Sequence, residues 1–225
     1  MFSIKEALGY GWQMVRKNWQ ILLGGMLIFA VLLGADRFFG NTTLDDSSKI
    51  LTVLFFLSAL MLQIVEYEMI LGGVKVALKI HDGQKAIMAD YFSCFPLIFK
   101  YIGAIIIYYI LIIGIPGLLA YLIYKTGGLI ILNWFLYLCA ALIFIYLAAQ
   151  AMFYSFFIVD KNCGPLNCFK ESFALTKGHE LKFMLFWLML VLLNLLGFAC
   201  LIVGLFITLP VTLLSLTYVY RQVSR

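Results

Sequence analysis

Charge is what this sequence has least of. Only 12% of its 225 residues are charged, whereas 64% are apolar or aromatic. A soluble domain carries roughly 45–50% apolar and about 25% charged residues, so too little polar surface is left to cover a water-soluble globule. Histidine is nearly absent. His81 and His179 both stand among charged residues of expected loops, without the Ser, Cys or acidic partners that a catalytic constellation needs. The five cysteines, Cys94, Cys139, Cys163, Cys168 and Cys200, include no Cys-x-x-Cys pair, and Cys163 and Cys168 have four residues between them and no neighbouring histidine. That pattern argues against zinc or redox chemistry and for free thiols. No cofactor and no metal are expected. Nor does a cleavable leader stand out, because the charges Lys5, Glu6, Arg16 and Lys17 are scattered through the first eighteen positions and no small-residue cleavage site follows a short apolar core.

What the chain does have is long apolar runs separated by short charged clusters, the pattern of a polytopic membrane protein. Six runs are read as spans, at 19–38, 50–71, 98–124, 129–158, 181–198 and 199–220. Crossing a ~30 Å hydrocarbon core takes about 20 helical residues at 1.5 Å each. The last two runs are contiguous, and Gly197 and Gly204 bracket the tight turn that would divide them. A five-span alternative, with a tilted or re-entrant final segment, stays open. The second run extends from Lys49 to Ile80, roughly 48 Å if helical throughout, so it either projects from the bilayer or bends at Gly72-Gly73. The same choice applies to the run ending at Val159.

The basic residues set the orientation. Thirteen of them (Lys5, Arg16, Lys17, Lys75, Lys79, Lys85, Lys100, Lys161, Lys170, Lys177, Lys182, Arg221 and Arg225) fall on one side of a six-span arrangement. Three (Arg37, Lys49 and Lys125) fall on the other. Because Lys and Arg resist translocation, both termini are expected in the cytoplasm of a plasma (inner) membrane protein. That distribution, rather than nucleic acid, accounts for the net charge of +5.

Three cytoplasmic segments have the spacing of interfacial amphipathic helices. The first, Ser3–Asn18, repeats Ile4, Leu8, Trp12 and Val15, with Ser3 and Glu6 at capping-box spacing. The second, about Ala86–Pro96, carries Ile87, Tyr91 and Phe95. The third, Pro165–Lys177, carries Leu166, Phe169 and Phe173, with Pro165 suited to a first helical turn. Each leads into a pair of spans. The fold expected is therefore all-α: a single integral membrane domain over 1–225, with six transmembrane helices as three hairpins, each preceded by an interfacial helix. Repeats would fall at 1–80, 81–159 and 160–225. Asp82 precedes Ala86 by four and Asp160 precedes Gly164 by four, so these aspartates hold equivalent places in the second and third units.

The stretch Ile70–Phe186 resembles a family of bacterial six-helix membrane proteins related to the membrane domain of glycerophosphoryl diester phosphodiesterases. The residues that carry the likeness are Leu71-Gly72-Gly73, Asp82-Gly83, Asp90-Tyr91-Phe92, Ile115-Pro116-Gly117, Asp160, Phe169-Lys170-Glu171-Ser172 and Leu175-Thr176-Lys177-Gly178. The opening Glu6-Ala7-Leu8, Gly11-Trp12 and Asn18-Trp19 is also similar to that family's start. The resemblance implies a membrane domain and imports no enzyme activity. Where the family has an arginine-glycine-acid turn, this chain has His81-Asp82-Gly83.

Candidate functional residues are few. Glu66 and Glu68 are ionisable groups within a span, which by default mark a functional path, although headgroup water would also accommodate them. Two positions apart, they point about 200° apart on a helix and do not form one carboxylate pair. Gln150, with Gln63, Asn133 and Asn194, suits interhelical hydrogen bonding. Pro116 and Pro210 interrupt apolar runs and are expected to kink them, as in ion or substrate paths. Lys161, Lys170, Lys177 and Lys182 form a basic cluster that would attract anionic lipid headgroups by about 1 kcal/mol each. The function expected is non-enzymatic: a scaffold, lipid-environment or membrane-assembly accessory factor whose partners are membrane lipids, with anionic headgroups on the cytoplasmic face, and a membrane protein, with no nucleic acid. The alternative is a small transporter or channel with Glu66 in the pathway.

Overall fold

Ser3 starts the first helix: its hydroxyl accepts the Glu6 N–H, and helix α1 runs Ile4–Lys17. Asn18 stops it, with both its backbone N–H and its side-chain amide donating to the Met14 carbonyl. A computed structural model describes residues 2–40, 49–126, 130–200 and 203–224 of the chain. Helices α2 (Trp19–Gly40), α3 (Lys49–His81), α4 (Ile98–Tyr109), α5 (Ile115–Thr126), α6 (Ile130–Ala151), α7 (Tyr154–Lys161), α8 (Pro165–Thr176), α9 (Glu180–Ala199) and α10 (Leu205–Val223) follow. Among the described residues there is no strand. Among the described residues, five stretches are long and apolar enough to cross a membrane: Trp19–Arg37, Thr52–His81, Met88–Leu118, Trp134–Lys161 and Glu180–Ala199. Large apolar side chains such as Val31, Phe56, Met61 and Trp134 face outward, which suits a lipid-covered bundle far better than a water-covered one.

The long second run is one unbroken helix. Gly72 serves close approach rather than a bend: a Cβ there would sit 2.0 Å from the Tyr91 carbonyl oxygen. The long fourth run does break, between α6 and α7. There Ser172 of α8 enters the ladder, donating to the Gln150 carbonyl at 2.5 Å and accepting the Phe153 N–H at 3.3 Å, a known cause of helix interruption. Between α4 and α5 the helix widens into a π turn at Ile110–Gly114, just before Pro116, which has no N–H to contribute. Pro210 stands inside α10 without ending it and is buried.

Of the three expected interfacial segments, the first and third form helices at their expected places, α1 and α8, and the second does not. In α1 the buried stripe is Ala7, Gly11 and Val15, while Trp12 is exposed. Small side chains win because α1 packs chiefly against α10, where a Cβ on Gly11 would meet the Ser215 hydroxyl and the Val211 carbonyl at 2.3 and 2.6 Å. The second segment is not an α-helix but two short 3₁₀ turns, Met88–Phe92 and Phe95–Leu97. Side chains take over its backbone groups: Asp90 accepts the Ile87 N–H and Glu68 accepts the Cys94 N–H. The third, α8, starts at Pro165 as expected, yet buries Cys168, Phe169, Ser172 and Thr176 and leaves Leu166 exposed.

The core is aromatic. Phe153, Phe156 and Phe157 surround the fully buried Tyr220 ring at centroid distances of 5.2–6.0 Å, and Phe2 packs on Phe183 and Phe186. At the far end, Gly197 and Gly204 lie against each other between α9 and α10, and Asn194 donates across the pair to Thr212. The interhelical use expected of Asn194 is thus present. The Asn133 side chain and positions 201–202 lie outside the described residues.

Candidate functional site

The ends of three helices meet at one polar point. Arg221, in the last turn of α10, donates through Nε and Nη2 to both oxygens of Asp82 (3.1 and 2.7 Å), just after α3. Its Nη1 donates to Asp160 Oδ2 (2.8 Å) in α7. Tyr220 donates its hydroxyl to the same Asp160 oxygen at 2.9 Å. The guanidinium fork matches one carboxylate with two parallel bonds and reaches a second with its remaining edge, a geometry lysine does not offer. Asp82 and Asp160 are the two aspartates that the expected repeat put in equivalent places, and Arg221 stands near the end of α10. The repeat was the one sequence signal that pointed here, and Arg221 itself was legible only as a topology charge.

Around this point the side chains are ordered rather than solvated. Tyr10 stacks on Tyr218 at 4.9 Å, and His81 packs beside both, with Nδ1 3.4 Å from Asp82. His81 is therefore a packed residue and not a solvated loop residue, whereas His179 is exposed. Burial first, and then the Asp82 charge, raise the Tyr10 phenol above its ordinary value. Lys79 pairs with Asp90 at 2.5 Å, and Lys75 donates to the Ser93 hydroxyl at 2.7 Å. A cavity of about 250 Å³ lies between these lysines and Asp160, bounded also by Gln84 and Ser93.

Glu66 and Glu68 separate as their spacing requires, and both are buried instead of reaching headgroup water. Glu68 faces the 3₁₀ turns, where Oε1 accepts the Cys94 N–H at 2.5 Å; its Oε2 has no hydrogen-bond partner among the described residues. It thereby satisfies an orphan donor at the entry to the helix that continues into α4, as a capping side chain does from within its own helix. Glu66 faces the α2 side, near Asp36 and Arg37, and its Oε1 is likewise unpartnered. The two glutamates do not converge on one site. Gln150 is buried and lines a different cavity with Tyr146, Lys177 and Glu180.

A second concavity is apolar. A groove of about 310 Å³ runs down the wall between α2, α3, α7 and α10, lined by Met26, Phe29, Met69, Gly73, Phe156 and Pro210 among others. Pro210 thus does line a concavity, whereas Glu66 lines neither the groove nor the polar cavity. The four lysines of the basic cluster carry no carboxylate partner within 4 Å among the described residues. Lys161 lies over the Phe157 ring at 5.0 Å and Lys182 over the Phe2 ring at 4.7 Å, while Lys170 and Lys177 are exposed. Burial pushes the Cys168 thiol up to about 11, which keeps it protonated and inert at neutral pH. No three His, Cys, Asp or Glu side chains among the described residues are placed to hold a metal ion.

No protein-family model, no curated protein and no solved structure matches the chain. The resemblance to the membrane domain of glycerophosphoryl diester phosphodiesterases accordingly stands on its quoted residues alone.

Proposed function

We propose that the chain is a six-span plasma (inner) membrane protein with both termini in the cytoplasm. In this reading it is non-enzymatic and acts on the lipid environment of the membrane or as an accessory to a membrane assembly. The carrying observation is the apolar groove. It follows α2 from Leu22 to Phe29 and α10 from Leu209 to Leu216, about 10 Å of helix in each case, and its walls are apolar and adaptable through Met26, Met69 and Met152. A lipid acyl chain is the occupant such a surface fits.

The sixth span is α10. Its sequence is less apolar than the other five because its polar residues face protein rather than lipid: Ser215 and Thr217 are fully buried and Thr212 is bonded to α9. Arg221, beside Asp82 and Asp160, brings the end of α10 to the same level as the ends of α3 and α7, and this supports an even number of crossings. The basic cluster, without carboxylate partners among the described residues, supports attraction to anionic headgroups. The alternative of a small transporter or channel has one observation in its favour, the buried Glu66 carboxylate, and its test is solute or proton flux in proteoliposomes.

Filling the groove tests the lipid reading. A Cβ at Gly73 makes only ordinary contacts, 3.7 Å to Leu213 and 3.8 Å to Tyr91, so Gly73→Leu places its bulk in the groove without a backbone clash. Lipid that co-purifies in mild detergent, counted by mass spectrometry, is expected to fall about threefold against an unchanged melting midpoint, a loss of about 0.6 kcal/mol of binding. Equal lipid content in the two proteins would remove the groove from the account.

A further inference from the structure

The polar cavity at the junction of α3, α7 and the 3₁₀ turns is lined by two lysines, Lys75 and Lys79, and by two aspartates, Asp82 and Asp160. At one end Lys79 is ion-paired with Asp90, and Lys75 donates to the neutral Ser93 hydroxyl, which in turn donates to the Asp90 carbonyl at 2.8 Å, with the Asp90 and Glu68 carboxylates acting on Lys75 only at longer range. No carboxylate among the described residues lies within 4 Å of the Lys75 ammonium. At the other end two carboxylates, Asp82 and Asp160, share one guanidinium, which leaves a surplus negative charge. Asp82 spends both oxygens on Arg221. Asp160 spends only Oδ2, on Arg221 and Tyr220, and its Oδ1 has no hydrogen bond among the described residues. Gln84, Leu78 and Leu97 also line it.

A cavity of about 250 Å³ lined by an ammonium without an ion pair and by a carboxylate with one oxygen unbonded complements a ligand with the reverse polarity. The anionic part must accept from Lys75 and the cationic part must donate to Asp160. We propose that this cavity binds a phosphate–ammonium zwitterion of the phosphoethanolamine class, its phosphate on Lys75 and its primary ammonium on Asp160 Oδ1. A primary ammonium is required because a quaternary one has no N–H to donate. An anionic headgroup without an ammonium leaves Asp160 unsatisfied and meets the surplus negative charge there. The inference rests on the membrane reading above only for the source of the ligand: a lipid headgroup reaches the cavity from the cytoplasmic leaflet, and free phosphoethanolamine reaches it from water.

The test uses the full chain in nanodiscs containing equal amounts of phosphatidylethanolamine, phosphatidylcholine and phosphatidylglycerol, released for native mass spectrometry with and without soluble O-phosphoethanolamine. Retained ethanolamine lipid is expected to exceed each of the other two about tenfold. Lys75→Gln, which breaks no ion pair, is expected to abolish that preference, the size expected for a charge-assisted hydrogen bond. Lys170→Gln, on the exposed face of α8, is expected to leave it unchanged. Equal retention of the three lipids by the unaltered protein, or a preference that survives Lys75→Gln, overturns the site. If lipid is still retained in that case, the groove reading stands. Lys75-dependent binding of O-phosphoethanolamine without retained lipid keeps the site, assigns the free zwitterion as its ligand, and overturns the groove reading. Binding of neither lipid nor O-phosphoethanolamine overturns both.

Discussion

Gly72→Ala is expected to destabilise the protein more than any other single-methyl change. The added carbon would stand 2.0 Å from the Tyr91 carbonyl oxygen and 2.4 Å from its carbonyl carbon and Cα. Those atoms belong to the backbone of a 3₁₀ turn, so no side-chain rotation relieves the contact. The turn itself is held by Asp90 on the Ile87 N–H and by Lys79 on Asp90, and moving it away from α3 strains both. Overpacking of this kind costs about 3 kcal/mol, which for a chain of this size lowers a melting midpoint by about 6–12 °C. Gly9→Ala is the matched control. Nothing lies within 4 Å of a Cβ at Gly9, on the exposed side of α1, and a helical glycine replaced by alanine there gains about 0.5–1 kcal/mol. Melting followed by size-exclusion chromatography in detergent distinguishes the pair. A Gly72→Ala protein as stable as the unaltered one would mean that the 3₁₀ turns do not cross α3 at this glycine.

Arg221→Ala is expected to have the next largest effect. It leaves Asp82 and Asp160 facing each other without a cation and removes three charge-assisted hydrogen bonds. Breaking a fully buried pair by deleting one partner costs about 3–5 kcal/mol. Here the Arg221, Asp82 and Asp160 side chains are 20%, 34% and 23% exposed, so water screens part of the loss and about 2 kcal/mol is expected. Arg221→Lys should recover only part of it, because an ammonium replaces the charge but not the fork. Asp82→Asn combined with Arg221→Ala should cost less than the sum of the two changes, since the surviving like charges are then fewer. The readout is again the melting midpoint, measured at low and at high salt. A midpoint unchanged by Arg221→Ala would show that the three helix ends are held by packing alone.

Much of the architecture was legible in the sequence because it depends on properties summed over many residues. Apolar run length marks the spans, and the turn between α9 and α10 falls where Gly197 and Gly204 placed it. Ser3, Pro165 and the 200° separation of Glu66 and Glu68 were also legible, since each is a local matter of capping or helical angle. What escaped depends on a partner distant in the chain. Nothing around Gln150 announces that Ser172, twenty-two positions later, will interrupt the helix there. The spacing of Ile87, Tyr91 and Phe95 suits an α-helix, but Glu68 and Asp90 take up backbone donors that an α-helix would have used otherwise. In α1 the side that packs on protein is Ala7, Gly11 and Val15, because α10 approaches so closely at Gly11 that a larger side chain has no room there. The Asp82–Arg221–Asp160 group spans 139 positions and was visible only as an unexplained equivalence of two aspartates.

The claim on which the rest depends is an even number of crossings, with the ends of α3, α7 and α10 all cytoplasmic. It is tested most directly by a membrane-impermeant maleimide applied to intact and permeabilised cells, using single-cysteine proteins that carry native Cys163, Lys125→Cys or Gln222→Cys. The account predicts that Lys125→Cys is labelled in intact cells, while Cys163 and Gln222→Cys are labelled only after permeabilisation. Labelling of Gln222→Cys in intact cells, with Cys163 still protected, would mean that α10 does not cross the membrane and would contradict the account.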